Sequence, residues 1–179
     1  MARITLAVTG SISAYKAADI TSQLVKLGHS VTVLMTQSAI DFISPLTFQA
    51  LSKNLVHTDI MLEENPSSIK HIDIAKETDV FLIAPATANI IAKLAQGLAD
   101  DMVSTVALAL PKGVKKLIAP AMNTTMYLHP ATQKNLKTLR DYGFEEILPR
   151  EALLACGDTG VGALADIQII LKKVSETIL

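Results

Sequence analysis

A chain of 179 residues, half of them hydrophobic, is long enough for one domain with a sizeable core and excludes a disordered segment. Lys and Arg number 16 against 17 Asp and Glu, and aromatics make up 4% with no Trp, so the chain offers neither a basic field nor a stacking surface for nucleic acid or an acidic membrane. One cysteine, Cys156, excludes a disulfide framework within the chain and makes a reducing, cytoplasmic setting the default; no apolar run approaches the roughly 20 residues that span a bilayer.

In chain order, Ile4 to Thr9 is a short apolar run broken by Gly10, which reads as a first strand and not as a signal peptide. Ser13 to Leu27 carries apolar residues at helical spacing, and Gly28 suits the left-handed residue that ends such a helix. Val31 to Met35 is a second strand, which completes a βαβ unit with a right-handed crossover. Ser38 to Leu51 is helical with a break at Pro45, the stretch from Leu55 to Pro66 gives no clear signal, and Glu63 to Ser68 is a polar loop. Ile69 to Glu77 is a short helix, Val80 to Ala84 a third strand, and Ile90 to Leu98 and Met102 to Leu110 are helices. Leu117 to Ala119 is a fourth strand; Pro130 opens a helix that runs over Ala131 to Tyr142 and closes at Gly143. Glu146 to Leu148 is a fifth strand, and Asp166 caps a last helix to about Thr177. Strands that read as continuous apolar runs between helices predict a single-domain, doubly wound parallel sheet, a three-layer α/β sandwich of Rossmann-like or flavodoxin-like type. Ligands of such sheets bind at the carboxyl ends of the strands, which directs attention to the loops beginning at Gly10, Thr36, Pro85, Pro120 and Pro149.

Gly10-Ser11-Ile12-Ser13 joins a strand to a helix start, where backbone N–H groups attract an anion. It lacks the other glycines of a dinucleotide fingerprint, and Met35-Thr36-Gln37-Ser38 at the end of the second strand carries no acid for an adenosine ribose. The hydroxyls of Thr36 and Ser38 suit a terminal monophosphate, so FMN fits better than NAD; ordinary helix capping by Ser11 or Ser13 accounts for the first loop equally well. In Pro85-Ala86-Thr87-Ala88-Asn89 small residues admit a planar ring while Thr87 and Asn89 offer hydrogen bonds, or Asn89 caps the next helix. Asp100 and Asp101 read as a cap or as solvated carboxylates. Pro120-Ala121-Met122-Asn123-Thr124-Thr125-Met126 sets an amide between two methionines at a strand end, where Asn123 can meet a carboxylate although a methionine pair is more often core filler. Ala155-Cys156-Gly157-Asp158-Thr159-Gly160-Val161-Gly162 reads as a glycine-rich hairpin or flap, and its glycines argue against a buried Cys156. His71 sits where a polar loop enters a helix and can serve as acid or base, His129 is a cap before Pro130, and His29 and His57 read as surface or turn positions. No His, Cys and Asp stand at metal-ligand spacing.

Taken together, His71-Ile72-Asp73, the Pro120 to Met126 motif and the Ala155 to Gly160 clamp, in that order, resemble the homo-oligomeric flavin-containing cysteine decarboxylases over nearly the whole chain. The resemblance implies FMN held by Gly10, Ser11, Ile12, Thr36, Ser38, Phe42, Thr87, Ala88, Asn89, Ala121 and Met122. It implies His71, Asn123 and Cys156 as catalytic residues, with Asn123, Met126, Ala155, Gly157 and Asp158 on the substrate. The implied reaction is the decarboxylation of 4'-phospho-N-pantothenoylcysteine to 4'-phosphopantetheine in coenzyme A biosynthesis. It proceeds through a thioaldehyde and an enethiolate with no net redox change. A homotrimer or an assembly of trimers is implied too, as is a decarboxylase domain over residues 1–179 without a fused synthetase. Two positions depart from the family's pattern: Tyr127 stands where Trp is frequent, and Ala163 where Arg is frequent. Rival readings are a peptidyl-cysteine decarboxylase, a non-catalytic FMN-binding regulatory protein and a flavin prenyltransferase; the clamp and the Met-Asn motif favour the first-named reaction.

Overall fold

A computed structural model describes residues 1–62 and 67–178. Glu63 to Pro66 of the expected polar loop therefore lie outside the described residues. The chain runs through β1 (Arg3–Val8), α1 (Ala14–Lys26), β2 (Ser30–Met35), α2 (Gln37–Ile40), α3 (Pro45–Ser52), β3 (Val56–His57) and α4 (Lys70–Glu77). It continues through β4 (Val80–Ala86), α5 (Ala88–Gln96), α6 (Met102–Ala109), β5 (Lys115–Pro120), α7 (Thr124–Leu128), α8 (Pro130–Asp141) and β6 (Phe144–Glu146). The hairpin β7 (Arg150–Leu153) and β8 (Thr159–Ala163) and the helix α9 (Ile167–Ile178) complete it.

The first six strands form one parallel sheet in the order β3-β2-β1-β4-β5-β6, and β7-β8 form a separate antiparallel pair. The chain winds outward from β1 in one direction and from β4 in the other, as the doubly wound reading requires. Every residue of β4 is buried, and so is all of β1 after Arg3, because helices cover both faces. One core lies under α1, α3 and α9, with Ile20, Leu24, Phe48 and Ile170 against Leu6, Val33 and Leu82. The second lies under α4, α5, α6 and α8, with Ile74, Ile91, Val103 and Leu136 against Phe81 and Ile83.

Local signals place the ends of these elements. Gly28 takes a φ of 86° and closes α1, with its N–H on the Val25 carbonyl. Pro45 is the first residue of α3, behind a Ser44 whose hydroxyl accepts from Leu46 N–H, so the expected broken helix is two helices. Asp101 and Ser104 form a reciprocal capping box on α6, and His129 Nδ1 accepts from Ala131 N–H at the start of α8.

Four sequence-based expectations need correction. Asn89 does not cap α5; Thr87 does, accepting from Ile90 N–H at 3.3 Å. The last parallel strand is Phe144–Glu146, two residues before the expected start, because Phe144 is the buried residue that pairs with Lys116 of β5, while Ile147 adds only one bond to Ile118. His57 is half-buried in the edge strand β3. Asp166 does stand at the N-cap position of α9, its backbone carbonyl receiving Ile169 and Ile170, but its carboxylate turns to Arg150 instead of to the helix.

Candidate functional site

Two clefts open at the carboxyl ends of the strands, next to the point where strand order reverses between β1 and β4. The first, of about 390 Å³, is bounded by Thr9 and Gly10 after β1, Thr36 to Ser38 after β2, and Thr87 and Asn89 after β4. Thr9, which sequence reasoning passed over, knits these loops: its hydroxyl donates to the Pro85 carbonyl at 2.7 Å and accepts from Thr87 N–H at 3.1 Å. Gly10 is required by close approach, since a Cβ there would lie 2.5 Å from the Ser38 Cβ.

Lys93, Asp100 and Asp101 also line this cleft, and Lys93 meets the two carboxylates at 2.6 and 2.8 Å. Burial pushes the Lys93 ammonium down, but hydrogen bonds to Asp100 and Asp101 outweigh it and hold the group above its ordinary value. The Lys93 bond in turn holds Asp100 below the usual carboxylate range. The cleft's one lysine is thus already neutralised, and an anion entering here meets hydroxyls and backbone N–H groups instead.

The second cleft, of about 350 Å³, lies under the β7-β8 hairpin and is lined by Ser11, Ile12, Ala121, Met122, Asn123 and Cys156 among others. Asn123 caps α7 with its Oδ1, which accepts from Thr125 N–H at 2.8 Å. That bond fixes the amide so that Nδ2 faces the hairpin, where it donates to Cys156 Sγ at 3.2 Å. The exposed Cys156 thiol donates in turn to Asp158 Oδ2 at 3.4 Å. Glycines anchor the hairpin: Met122 N–H donates to the Gly162 carbonyl at 2.9 Å, and a Cβ on Gly160 would lie 2.5 Å from Thr124 Oγ1.

The structure therefore sorts the expected residues into sets. Gly10, Thr36, Ser38, Thr87 and Asn89 share the first cleft. Ser11, Ile12, Ala121, Met122, Asn123, Ala155 and Cys156 share the second. Asp158 adjoins the second through Cys156, while Ala88, Met126 and Gly157 line neither. Phe42 lines neither as well and is half exposed. His71 also lines neither: α4 ends two residues before β4 begins, which puts His71, in its first turn, at the carboxyl edge but over the second core. Its Nδ1 is buried without a hydrogen-bond partner among the described residues.

Tyr127 is core, packed in the second cluster. Its hydroxyl donates to Glu146 Oε1 at 2.9 Å, and Arg140 holds Oε2 at 2.7 Å. Burial first, then the Glu146 bond, pushes the phenol up to about 12. Tyr127→Phe removes one bond and leaves Arg140 in place, so urea denaturation should show a loss of about 1 kcal/mol with the secondary structure intact.

The family model described as Flavoprotein matches residues 1–179. The chain belongs to the flavoprotein family. A probable phosphopantothenoylcysteine decarboxylase of Streptococcus mutans is 56% identical over 174 residues, covering 97% of each chain. The coenzyme A biosynthesis bifunctional protein CoaBC of Bacillus subtilis is 51% identical over 169 residues, which are 94% of this flavoprotein but 41% of that longer protein. A solved PPC decarboxylase mutant complexed with pantothenoylaminoethenethiol superimposes with a TM-score of 0.86 at 29% identity, over 98% of this flavoprotein and 97% of that chain.

Proposed function

We propose that this flavoprotein decarboxylates 4'-phospho-N-pantothenoylcysteine to 4'-phosphopantetheine, with FMN as its cofactor. The observation that carries the reading is the contact of Asn123 with Cys156 across 33 positions of sequence, in a cleft that shares the loop after β1 with a hydroxyl-lined one. Similarity to a probable phosphopantothenoylcysteine decarboxylase over 97% of each chain supports it.

The residues present fit the cofactor. The Gly10-Ser38 approach leaves room only for backbone, and Thr36, Ser38 and Ser11 supply hydroxyls for a terminal phosphate. FMN, when bound, supplies the oxidation of the substrate's cysteinyl thiol and returns the same two electrons after CO2 has left. The chain's own groups position and protect the reactants. Asn123 Nδ2, held toward the cleft by its cap bond, donates to the substrate carboxylate. Cys156 carries a thiol proton at the cleft wall for the late protonation of the product. His71 acts as the acid or base, or orients the departing carboxylate.

In one chain His71 and Cys156 line no common cleft. A homotrimer, or an assembly of trimers, brings His71 of a partner subunit to the hairpin cleft. Ile12 and Leu153, which line that cleft, expose large apolar surfaces, which fits coverage by another copy. Among the described residues no helix is long and apolar enough to cross a membrane, and the free thiol of Cys156 suits a reducing cytoplasm.

The test is a mass-spectrometric assay of the purified protein with 4'-phospho-N-pantothenoylcysteine, run with its visible spectrum. A yellow protein that releases one CO2 and yields 4'-phosphopantetheine supports the reading. A yellow protein that leaves this substrate untouched overturns it.

A further inference from the structure

The hairpin cleft is electrically lopsided. Among the described residues its charged lining side chains are Lys16 and Arg150; Asp158 and Asp166 reach lining residues from outside without lining it themselves. Arg150 opens β7 directly opposite Ala163 of β8. Facing residues of an antiparallel ladder project to the same side, and both of these line the cleft. The small side chain of Ala163 leaves that side free for the guanidinium.

Asp166 Oδ1 lies 3.3 Å from Arg150 Nε, and the other guanidinium N–H groups have no partner among the described residues. Lys16, in the first turn of α1, has no carboxylate partner among the described residues, and its Nζ lies 6.0 Å from the centroid of the Tyr15 ring. No acidic residue stands in that turn, and the Ser13 hydroxyl, which also lines the cleft, is not spent on a cap bond. Asn123 and Cys156 line the same cleft. The cleft thus suits a molecule that carries an anion at one end and a cysteine-derived group at the other.

We propose that Arg150 and Lys16 form a phosphate-monoester subsite that takes the 4'-phosphate of the substrate and sets the preference for phosphorylated over unphosphorylated N-pantothenoylcysteine. This rests on the decarboxylase reading above. Two phosphates are available to such a site, that of the substrate and that of FMN. The neutralised, hydroxyl-lined first cleft suits the cofactor's phosphate, which leaves the cations for the substrate's.

The experiment measures kcat and KM of the holoprotein for both forms of the substrate, and the FMN dissociation constant by fluorescence. The variants are Arg150→Ala, Arg150→Lys, Lys16→Ala and Asp166→Asn. Arg150→Ala should raise KM for the phosphorylated form about 10- to 100-fold, the worth of a hydrogen bond to a charged group, with kcat within about twofold. KM for the unphosphorylated form and the FMN constant should stay as in the wild type. Arg150→Lys should recover part of the loss, and Lys16→Ala should lower the preference in the same sense. Asp166→Asn breaks the same ion pair but keeps the guanidinium, so it should keep the preference. Equal rises in KM for both forms in Arg150→Ala would mark a structural role for the hairpin and overturn the subsite. So would weaker FMN binding in place of the KM change. A wild type that decarboxylates both forms without preference sinks the subsite alone. One that decarboxylates neither sinks the parent reading and the subsite with it.

Discussion

Gly162→Ala should reduce turnover at least about 100-fold while the far-UV circular dichroism stays near that of the wild type. Gly162 has a φ of 145°, in the range that favours glycine. A Cβ there would lie 2.2 Å from the Met122 carbonyl oxygen, a backbone atom that no side-chain rotation can move aside. Relief requires β8 to withdraw from the segment after β5. That withdrawal breaks the 2.9 Å bond from Met122 N–H to the Gly162 carbonyl. Strain and the lost bond together amount to about 2–4 kcal/mol. The hairpin is a separate two-stranded sheet, so the six-stranded sheet need not share the damage. What is lost is the placement of Cys156 against Asn123. Hydrogen exchange should quicken in residues 150–163 and remain slow in β1 and β4. A variant that keeps wild-type turnover would show that the close approach at Gly162 does not matter to the site.

His71→Asn should lower turnover by about 100-fold or more, the usual worth of a positioned acid or base, with the flavin still bound and the protein still yellow. The separation follows from geometry. The hydroxyl-lined cleft is built by the loops after β1, β2 and β4 together with Lys93 and its two aspartates, and His71 is not among its walls. Asparagine keeps a polar group near the Nδ1 position, so the first turn of α4 should tolerate it. Rapid-mixing absorbance separates the reductive half from the later steps. Normal turnover in this variant would remove His71 from the chemistry. Loss of flavin would mean that the histidine serves the fold.

The parallel core of the fold was legible because β1 after Arg3, β4 and the Leu117 to Pro120 part of β5 are buried and read as mainly apolar runs. The edge strand β3 was not, since Val56 and His57 are only half-buried and are too short to show a period. The sixth strand was misplaced because Ile147 looks like a strand residue in isolation, whereas pairing with β5 selects Phe144. Within the site, motifs found Asn123 and Cys156 but could not show that they meet. Thr9 was missed for lack of any signal except a hydroxyl at a strand end. Lys93 was missed because a lysine in a helix is ordinarily solvated; the aspartate pair at 100 and 101 was the available clue. Arg150 became visible only once the ladder register set it opposite Ala163.

The hydroxyl-lined cleft draws on segments spread from Thr9 to Asp101, whereas most of the roof over Asn123 is one short hairpin resting on two glycines. The two parts therefore differ in how freely they can be rewritten. Altering the first disturbs several loops at once, but the hairpin is a local cassette whose exchange leaves the loops after β1, β2 and β4 in place. A scaffold divided in this way can be turned to a new cysteine-bearing molecule by changing a single stretch of chain.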